Sequence, residues 1–284
     1  MSHQIDIFVA LQRVLPKHLL SRLIGTLAEA KQPWLKNILI KRAIATFEIN
    51  MQEAVSDDLS SYDTFNAFFT RALKEGVRPI DADHNSICSP ADGVISQSGA
   101  IHNNRIMQAK GIDYSLHRLV GNSSSAEHFR YGSFATIYLS PKDYHRIHMP
   151  LSGKLTTARY IPGELFSVND KTAQGLPGLF ARNERLVCEF ESELAGKFAV
   201  IFVGAMLVAG IETVWGGFEA PGAGLVRETD FTEQNLVYAK GEEIGQFKFG
   251  STAIILFEKN VAQGLDNLQP QASVIMGEKI AVLG

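Results

Sequence analysis

Sulfur is scarce. Cys88 and Cys188 are the only cysteines among 284 residues, and no CxxC pair occurs. That excludes a disulfide framework and a cysteine zinc site. The two thiols are expected to be buried, in a reducing compartment. Long apolar runs are also missing. The longest, Phe198 to Ile211, is 14 residues between Lys197 and Glu212, short of the about 18 that mark a spanning helix. Gly204 inside it predicts two buried strands, joined or bent there. No apolar segment followed by a small-residue cleavage site opens the chain, so no secretory signal is read. Positive charge is not in excess: 27 Lys+Arg stand against 30 Asp+Glu, a net charge of −3. That excludes a nucleic-acid binder working by bulk charge. No GxSxG elbow, Walker loop, HExxH or Rossmann glycine pattern is present.

What remains is an ordinary folding composition, 45% apolar and 20% charged, enough for one large domain or two small ones. The first 80 residues read as helical. Leu20, Leu23, Ile24 and Leu27 recur at helical spacing after Pro16. A second helix follows Pro33, with Leu35, Ile38, Leu39, Ala43 and Phe47 on one side. A third is predicted over Phe65 to Leu73, with Thr64 as N-cap. Residues 1–42 carry a charge of +5, leaving −8 on the rest. A basic, amphipathic start on an acidic body fits a surface lying on an anionic membrane. It equally fits a helical pair with solvated Lys and Arg.

From residue 86 the texture becomes strand-like, with runs at Gly93–Ser96, Phe134–Leu139, Leu186–Phe190 and Thr252–Phe257 between Gly, Pro, Asn and Asp punctuation. Residues 121–128 and 174–178 read as loops. The fold class is therefore α+β: N-terminal amphipathic helices over residues 1–80 packed on a mainly β body over residues 81–284.

Three segments hold groups that could do chemistry. Asp143-Tyr-His-Arg-Ile-His148 brings two of the eight histidines together. Without a cysteine or third histidine nearby they make a poor metal site, and no metal is assigned. Cys88-Ser-Pro-Ala-Asp92-Gly93 carries a carboxylate, although Asp-Gly is also a common turn. Phe247-Lys-Phe-Gly250-Ser251-Thr252 opens an apolar strand. Each alone is commonplace.

Together, and in order with Tyr62-Asp-Thr-Phe-Asn-Ala-Phe-Phe-Thr-Arg71, Arg78-Pro-Ile80, Lys110-Gly-Ile-Asp-Tyr-Ser-Leu116, Pro162-Gly-Glu-Leu-Phe-Ser-Val-Asn169, Asn183-Glu-Arg185 and Val203-Gly-Ala205, they resemble the phosphatidylserine decarboxylase family in its long, bacterial, membrane-associated form. The likeness spans about residues 10 to 260. One departure is Phe249, where the family most often has Leu; the residue before the Gly-Ser bond stays apolar.

The resemblance implies a proenzyme that cuts itself between Gly250 and Ser251, giving a β chain of residues 1–250 and an α chain of residues 251–284. Ser251 Oγ attacks the Gly250 carbonyl and the peptide becomes an ester. Elimination and hydrolysis then leave a pyruvoyl group at residue 251 and release ammonia. A serine hydroxyl needs a base. The resemblance gives that role to His148, oriented by Asp92, in the logic of the serine-protease triad. The pyruvoyl cofactor would form a Schiff base with phosphatidylserine, release CO2 and yield phosphatidylethanolamine. His145 is the candidate proton donor, with His148 its competitor. Phe166, Ser167 and Val168 resemble the substrate-contacting segment, or are an ordinary strand or loop.

The resemblance further implies a barrel-sandwich-like core, a homodimer, and a peripheral place on the cytoplasmic face of a bacterial inner membrane. Two other readings remain at this point: a serine hydrolase or autoprotease that keeps its Ser251 hydroxyl, and a membrane-associated scaffold without catalysis.

Overall fold

Two faces of one strand shape the centre of the molecule. In Ser251–Phe257 every residue is buried. Ala253, Ile255 and Phe257 join one apolar core, while Ile254 and Leu256 join another. Such a strand must be covered on both sides, and its neighbours repeat the alternation. Phe198, Val200 and Phe202 face the first core; Ala199, Ile201 and Val203 face the second.

The computed structural model describes Gln12 and residues 16–206, 210–220, 224–248 and 251–284. Phe249 and Gly250, the expected cleavage position, lie outside them. The main sheet runs Arg227–Asp230, Gly153–Ile161, Arg185–Ser192, Gly196–Val203, Ser251–Phe257, Ser133–Leu139, Gly93–Ala100 and Ser273–Val274, with Val237–Tyr238 also pairing onto Gly153–Ile161. All of its pairings are antiparallel, and its strand path ends in two edges rather than closing. A smaller sheet of Gly217–Ala220, Gly210–Thr213, Glu243–Lys248 and Arg146–His148 adds Ile211, Ile244, Phe247 and Ile147 to the first core. The apolar run ending at Ile211 is thus two strands, Gly196–Val203 and Gly210–Thr213, in different sheets. The molecule is α+β, mostly sheet.

The helices are few and short after residue 50. Helix α1, Lys17–Ala28, and α2, Pro33–Phe47, stand where periodicity placed them. Their buried faces differ from expectation. Lys17, Ser21 and Ala28 are buried in α1, and Lys36, Ile40 and Ala43 in α2. Leu23 (61% exposed), Trp34 (67%) and Ile38 face outward. Lys36 lies inward because its ammonium reaches the carbonyls of Leu59 (2.9 Å) and Tyr62 (2.6 Å).

Helix α3 covers only Phe65–Phe69. Thr64 caps it as expected, accepting from Ala67 N–H at 3.0 Å. It stops short of Leu73 because the chain turns at Thr70, whose hydroxyl bonds back to the Asn66 carbonyl. The expected loop at 121–128 instead follows one helix and contains most of another: α4 spans Leu116–Val120, with Gly121 as its C-cap, and α5 spans Ser123–Phe129. Asn122 Oδ1 accepts from Ser124 and Ser125 N–H, a cap hidden in a polar run. Two further helices, Asp170–Gly175 (α6) and Leu179–Arg182 (α7), flank the turn at 176–178. Both cysteines are buried. Among the described residues, no helix is long and apolar enough to cross a membrane.

Candidate active site

Ser251 opens the central strand, paired opposite Leu139, with Thr252 opposite Val203. Strand alternation turns Ser251 to the same face as Ala253, toward the smaller sheet. Its side chain is buried, and Oγ has no hydrogen-bond partner among the described residues. An orphaned hydroxyl in a core costs about 1–3 kcal/mol, and the Thr252 and Thr136 hydroxyls of the same sheet share that condition.

From Leu139 the chain loops through Ser140–Tyr144 and returns as the strand Arg146–His148. The strand leading toward Ser251, Glu243–Lys248, pairs with it, placing Glu243 opposite His148 and Gln246 opposite Arg146. Phe247 N–H also donates to the His145 carbonyl at 3.0 Å. Both chain segments that approach Ser251 therefore touch the histidine segment.

His145 is fully buried, its ring stacked on Phe69 at 4.1 Å between centroids. One nitrogen faces an acceptor: Nε2 lies 3.1 Å from the Ser140 carbonyl, so it carries the proton. Nδ1 is then a bare lone pair, with no partner among the described residues. Burial first, then the positive charge of Arg71, pushes its pKa down to about 3. The ring is neutral at physiological pH.

His148 is held at both nitrogens. Nδ1–H donates to the Gly241 carbonyl at 2.8 Å, and Nε2 accepts from the Tyr144 hydroxyl at 3.1 Å. This tautomer leaves Nε2 as the basic nitrogen. Burial lowers its pKa as well, against the Gly241 hydrogen bond and the charges of Glu243 and Asp92, which raise it.

Asp92 sits in the segment before Gly93. That glycine is required, because a Cβ there would lie 2.3 Å from the Tyr138 carbonyl oxygen. The Asp92 carboxylate is gripped by Arg78: Nε reaches its two oxygens at 2.9 and 3.0 Å, and Nη2 reaches Oδ2 at 2.6 Å. Met276 N–H donates to Oδ1 at 2.8 Å, and Glu53 takes the remaining reach of Arg78 at 2.9 Å. The Asp92 and His148 segments are tied by a backbone bond, His148 N–H to the Pro90 carbonyl at 2.8 Å. Their side chains are engaged elsewhere, and Gly241, not Asp92, is the direct partner of the imidazole. Asp92 reaches His148 as a nearby negative charge.

Phe166, Ser167 and Val168 lie at the same end of the main sheet, on the side of the second core. Asn183 fixes them: its Oδ1 accepts from Phe166 N–H at 3.1 Å, and its Nδ2 donates to the carbonyls of Phe166 and Gly204. Gly204 follows Val203, the partner of Thr252. The N-terminal region covers this segment. Gln12 Oε1 accepts from Ser167 N–H at 2.8 Å, and Lys17 Nζ lies 4.1 Å from the Phe166 ring centre.

Sequence reasoning passed over Arg78, Tyr144, Arg71 and Gly241. The first three stand inside the quoted motifs without an assigned role. Gly241 carries no local signal, since its part is played by a backbone carbonyl.

The structure thus brings the segments of Ser251, His145, His148 and Asp92 together through backbone pairing, while no side-chain hydrogen bond joins Ser251 to either histidine or to Asp92 among the described residues. A buried hydroxyl, two buried imidazoles and a clamped carboxylate are groups suited to nucleophilic and proton-transfer chemistry. The comparisons agree with that class. The family model described as phosphatidylserine decarboxylase matches residues 65–282, and a second, described as PSD, matches residues 7–48. A phosphatidylserine decarboxylase proenzyme of Alcanivorax borkumensis is 50% identical over 283 residues, covering 99% of this chain and 97% of that relative. One from Acinetobacter baylyi is 49% identical over 275 residues, covering 97% and 95%. Another, from Ectopseudomonas mendocina, is 50% identical over 276 residues, covering 96% of each. The chain belongs to the phosphatidylserine decarboxylase family. It is a carboxy-lyase.

Proposed function

We propose that the chain cuts itself between Gly250 and Ser251, converts residue 251 to a pyruvoyl group, and uses that group to decarboxylate phosphatidylserine to phosphatidylethanolamine. The observation that carries this reading is the buried, partnerless Ser251 Oγ at the head of the central strand.

In the first reaction Ser251 Oγ bonds to the Gly250 carbonyl carbon as the peptide C–N bond breaks. His148 Nε2 takes the hydroxyl proton and passes it to the leaving nitrogen. Nε2 is held by Tyr144, so attack requires that phenol to yield. Asp92, anchored by Arg78, favours the charged imidazole from a distance, while Gly241 keeps the proton on Nδ1.

The named side chains suit a pyruvoyl group: Asp92, His145, His148 and residue 251 are buried, and none is an amine that would compete for a carbonyl. When present, that group supplies the electrophile that captures the substrate amine and draws electrons as CO2 leaves. His145 returns the proton to the carbon that loses its carboxylate. Its Nε2–H is committed to Ser140, so Nδ1 is the delivering atom, after its lone pair has taken a proton from the substrate ammonium during amine capture. Phe166, Ser167 and Val168 contact the substrate.

The helical region, residues 1–80, lies on the membrane and the body, residues 81–284, does the chemistry. Leu19, Leu23 and Leu27 recur along one face of α1, with Trp34 and Ile38 on α2, all exposed. Arg22, Lys31, Lys41 and Arg42 are exposed beside them, each worth about 1 kcal/mol near an anionic surface. This favours a peripheral place on the cytoplasmic face of a bacterial inner membrane. A homodimer is supported by the exposed apolar pair Leu225 and Val226 beside the sheet edge. The family's barrel-sandwich-like core is the accompanying reading of the two facing sheets.

Intact mass under denaturing conditions tests the central claim. Purified protein should yield residues 251–284 as a separate chain with a blocked, pyruvoyl-type N-terminus. A folded wild-type preparation that stays uncut, or is cut elsewhere, refutes it.

A further inference from the structure

Arg71 is a buried cation whose donors are not used. The residue is 4% exposed, and only Nη2 is bonded, to the Lys142 carbonyl at 3.1 Å. Nε and Nη1 are buried with no hydrogen-bond partner among the described residues. Its guanidinium lies 5.7 Å from the Phe68 ring centre. Tyr62, Asp92, Glu53 and Asp143 act on it through their charges, but among the described residues none is within ion-pair distance. Burying an unpaired guanidinium is expensive, and a fold keeps one only where something repays it.

Its position says where the ligand would be. Arg71 ends the segment that begins with Phe69, the ring stacked on His145. Thr70 between them is tied to Arg146 Nε through its carbonyl at 2.9 Å, and Lys142, which holds Nη2, belongs to the loop joining Leu139 to His145. Arg71 therefore stands near enough to His145 for its charge to act on that ring, and its segment is tied to the loop that follows Leu139, the strand partner of Ser251.

We propose that Arg71 anchors the phosphodiester of the lipid headgroup, through Nε and Nη1, while the amine-bearing carbon lies at His145. This rests on the reading of Ser251 and His145 as the decarboxylation site. Two anions are available on the substrate, and chemistry separates them. The carboxylate loses its charge as CO2 departs, so a guanidinium on it would hold the ground state more tightly than the transition state and slow the reaction. The phosphodiester keeps its charge throughout, so binding it strengthens substrate capture without that penalty. Its oxygens also suit the planar fork of arginine.

Arg71→Gln and Arg71→Lys, isolated as cleaved enzyme, are assayed with short-chain phosphatidylserine, and with short-chain phosphatidylethanolamine as inhibitor. The product has lost the carboxylate but kept the phosphodiester. In Arg71→Gln, KM should rise about 10–100-fold, with a much smaller change in kcat, and the inhibition constant of phosphatidylethanolamine should rise by a similar factor. Arg71→Lys should fall between this and the wild type. A raised KM with unchanged phosphatidylethanolamine inhibition would move Arg71 to the carboxylate and overturn the proposal. Unchanged values for both ligands, or failure of both variants to mature, would make Arg71 structural and overturn it too. Wild-type enzyme that matures but leaves phosphatidylserine untouched would instead defeat the decarboxylase reading, a separate outcome.

Discussion

Removing the Arg78 guanidinium should damage the protein more when Asp92 is left behind than when it is neutralised as well. Asp92 and Arg78 side chains are 7% and 12% exposed, and the carboxylate accepts three contacts from Arg78 and one from Met276 N–H. In Arg78→Met only the Met276 bond remains on a buried negative charge. Breaking such a pair from one side costs about 3–5 kcal/mol. In Asp92→Asn, Arg78 keeps Glu53, so the cost is smaller, about 1–3 kcal/mol. The double variant leaves no orphaned carboxylate and should be more stable than the sum of the singles by about 1–3 kcal/mol. The measurement is a double-mutant cycle by urea unfolding, on a Ser251→Ala background so that the chain stays whole. Additivity within about 0.5 kcal/mol would refute the clamp as the element that fixes Asp92. The same Arg78→Met change in the Ser251 protein should slow self-cleavage, because the charge acting on His148 is no longer held in place.

The two histidines should separate the two reactions. His148→Ala should slow maturation about 10²–10⁴-fold, read as uncut chain on denaturing gels, whereas His145→Ala should mature and then fail to release CO2. Tyr144→Phe frees His148 Nε2 and should cut at least as fast as the wild type; slower cutting would make the phenol part of the proton path. Stability should fall in acid on account of His145. Its folded pKa, about 3, lies below the unfolded value near 6.5, so the unfolded chain binds the extra proton between those values. Stability is then fully present above the unfolded pKa and is lost at about 1.4 kcal/mol per pH unit as pH falls below it. His148 adds a contribution of the same sign. The raised carboxyls Asp143 and Glu184 act oppositely, so the slope is taken as wild type minus His145→Gln; an identical slope in both refutes it. Leu23→Asp with Trp34→Asp should reduce binding to anionic vesicles at least tenfold, since each exposed side chain is worth about 1.5–3 kcal/mol when buried, while cleavage is unaffected. Undiminished binding would remove α1 and α2 as the membrane surface.

The local signals in the chain were sufficient for the central strand and the helices after Pro16 and Pro33, whereas the segments carrying Asp92, His145, His148 and Ser251 stood out only through their joint resemblance to a family. The strand and helices depend on residues close together: alternation of apolar side chains, a proline near a helix start, a Thr cap. The run ending at Ile211 also read correctly as two strands because its glycine interrupts a length too short for a membrane. What failed locally was a matter of competition. Thr70 turned the third helix early, and Asn122 capped a helix in a serine run that looked like a loop. The outward apolar faces of α1 and α2 could not be read from periodicity, which finds a stripe but not the side it turns to.

Sequence alone, then, determined the α+β class and the serine at the head of an apolar strand, because those are properties of residue type and spacing, and its colinear motifs carried the likeness to a family. Only the tertiary structure decided that Asp92 is clamped by Arg78, that a backbone carbonyl from Gly241 orients His148, that His145 keeps a bare lone pair, and that Arg71 is buried with donors unused. Each is set by groups far apart in the chain, and hydrogen bonding and burial are decided by what finally lies within a few ångströms.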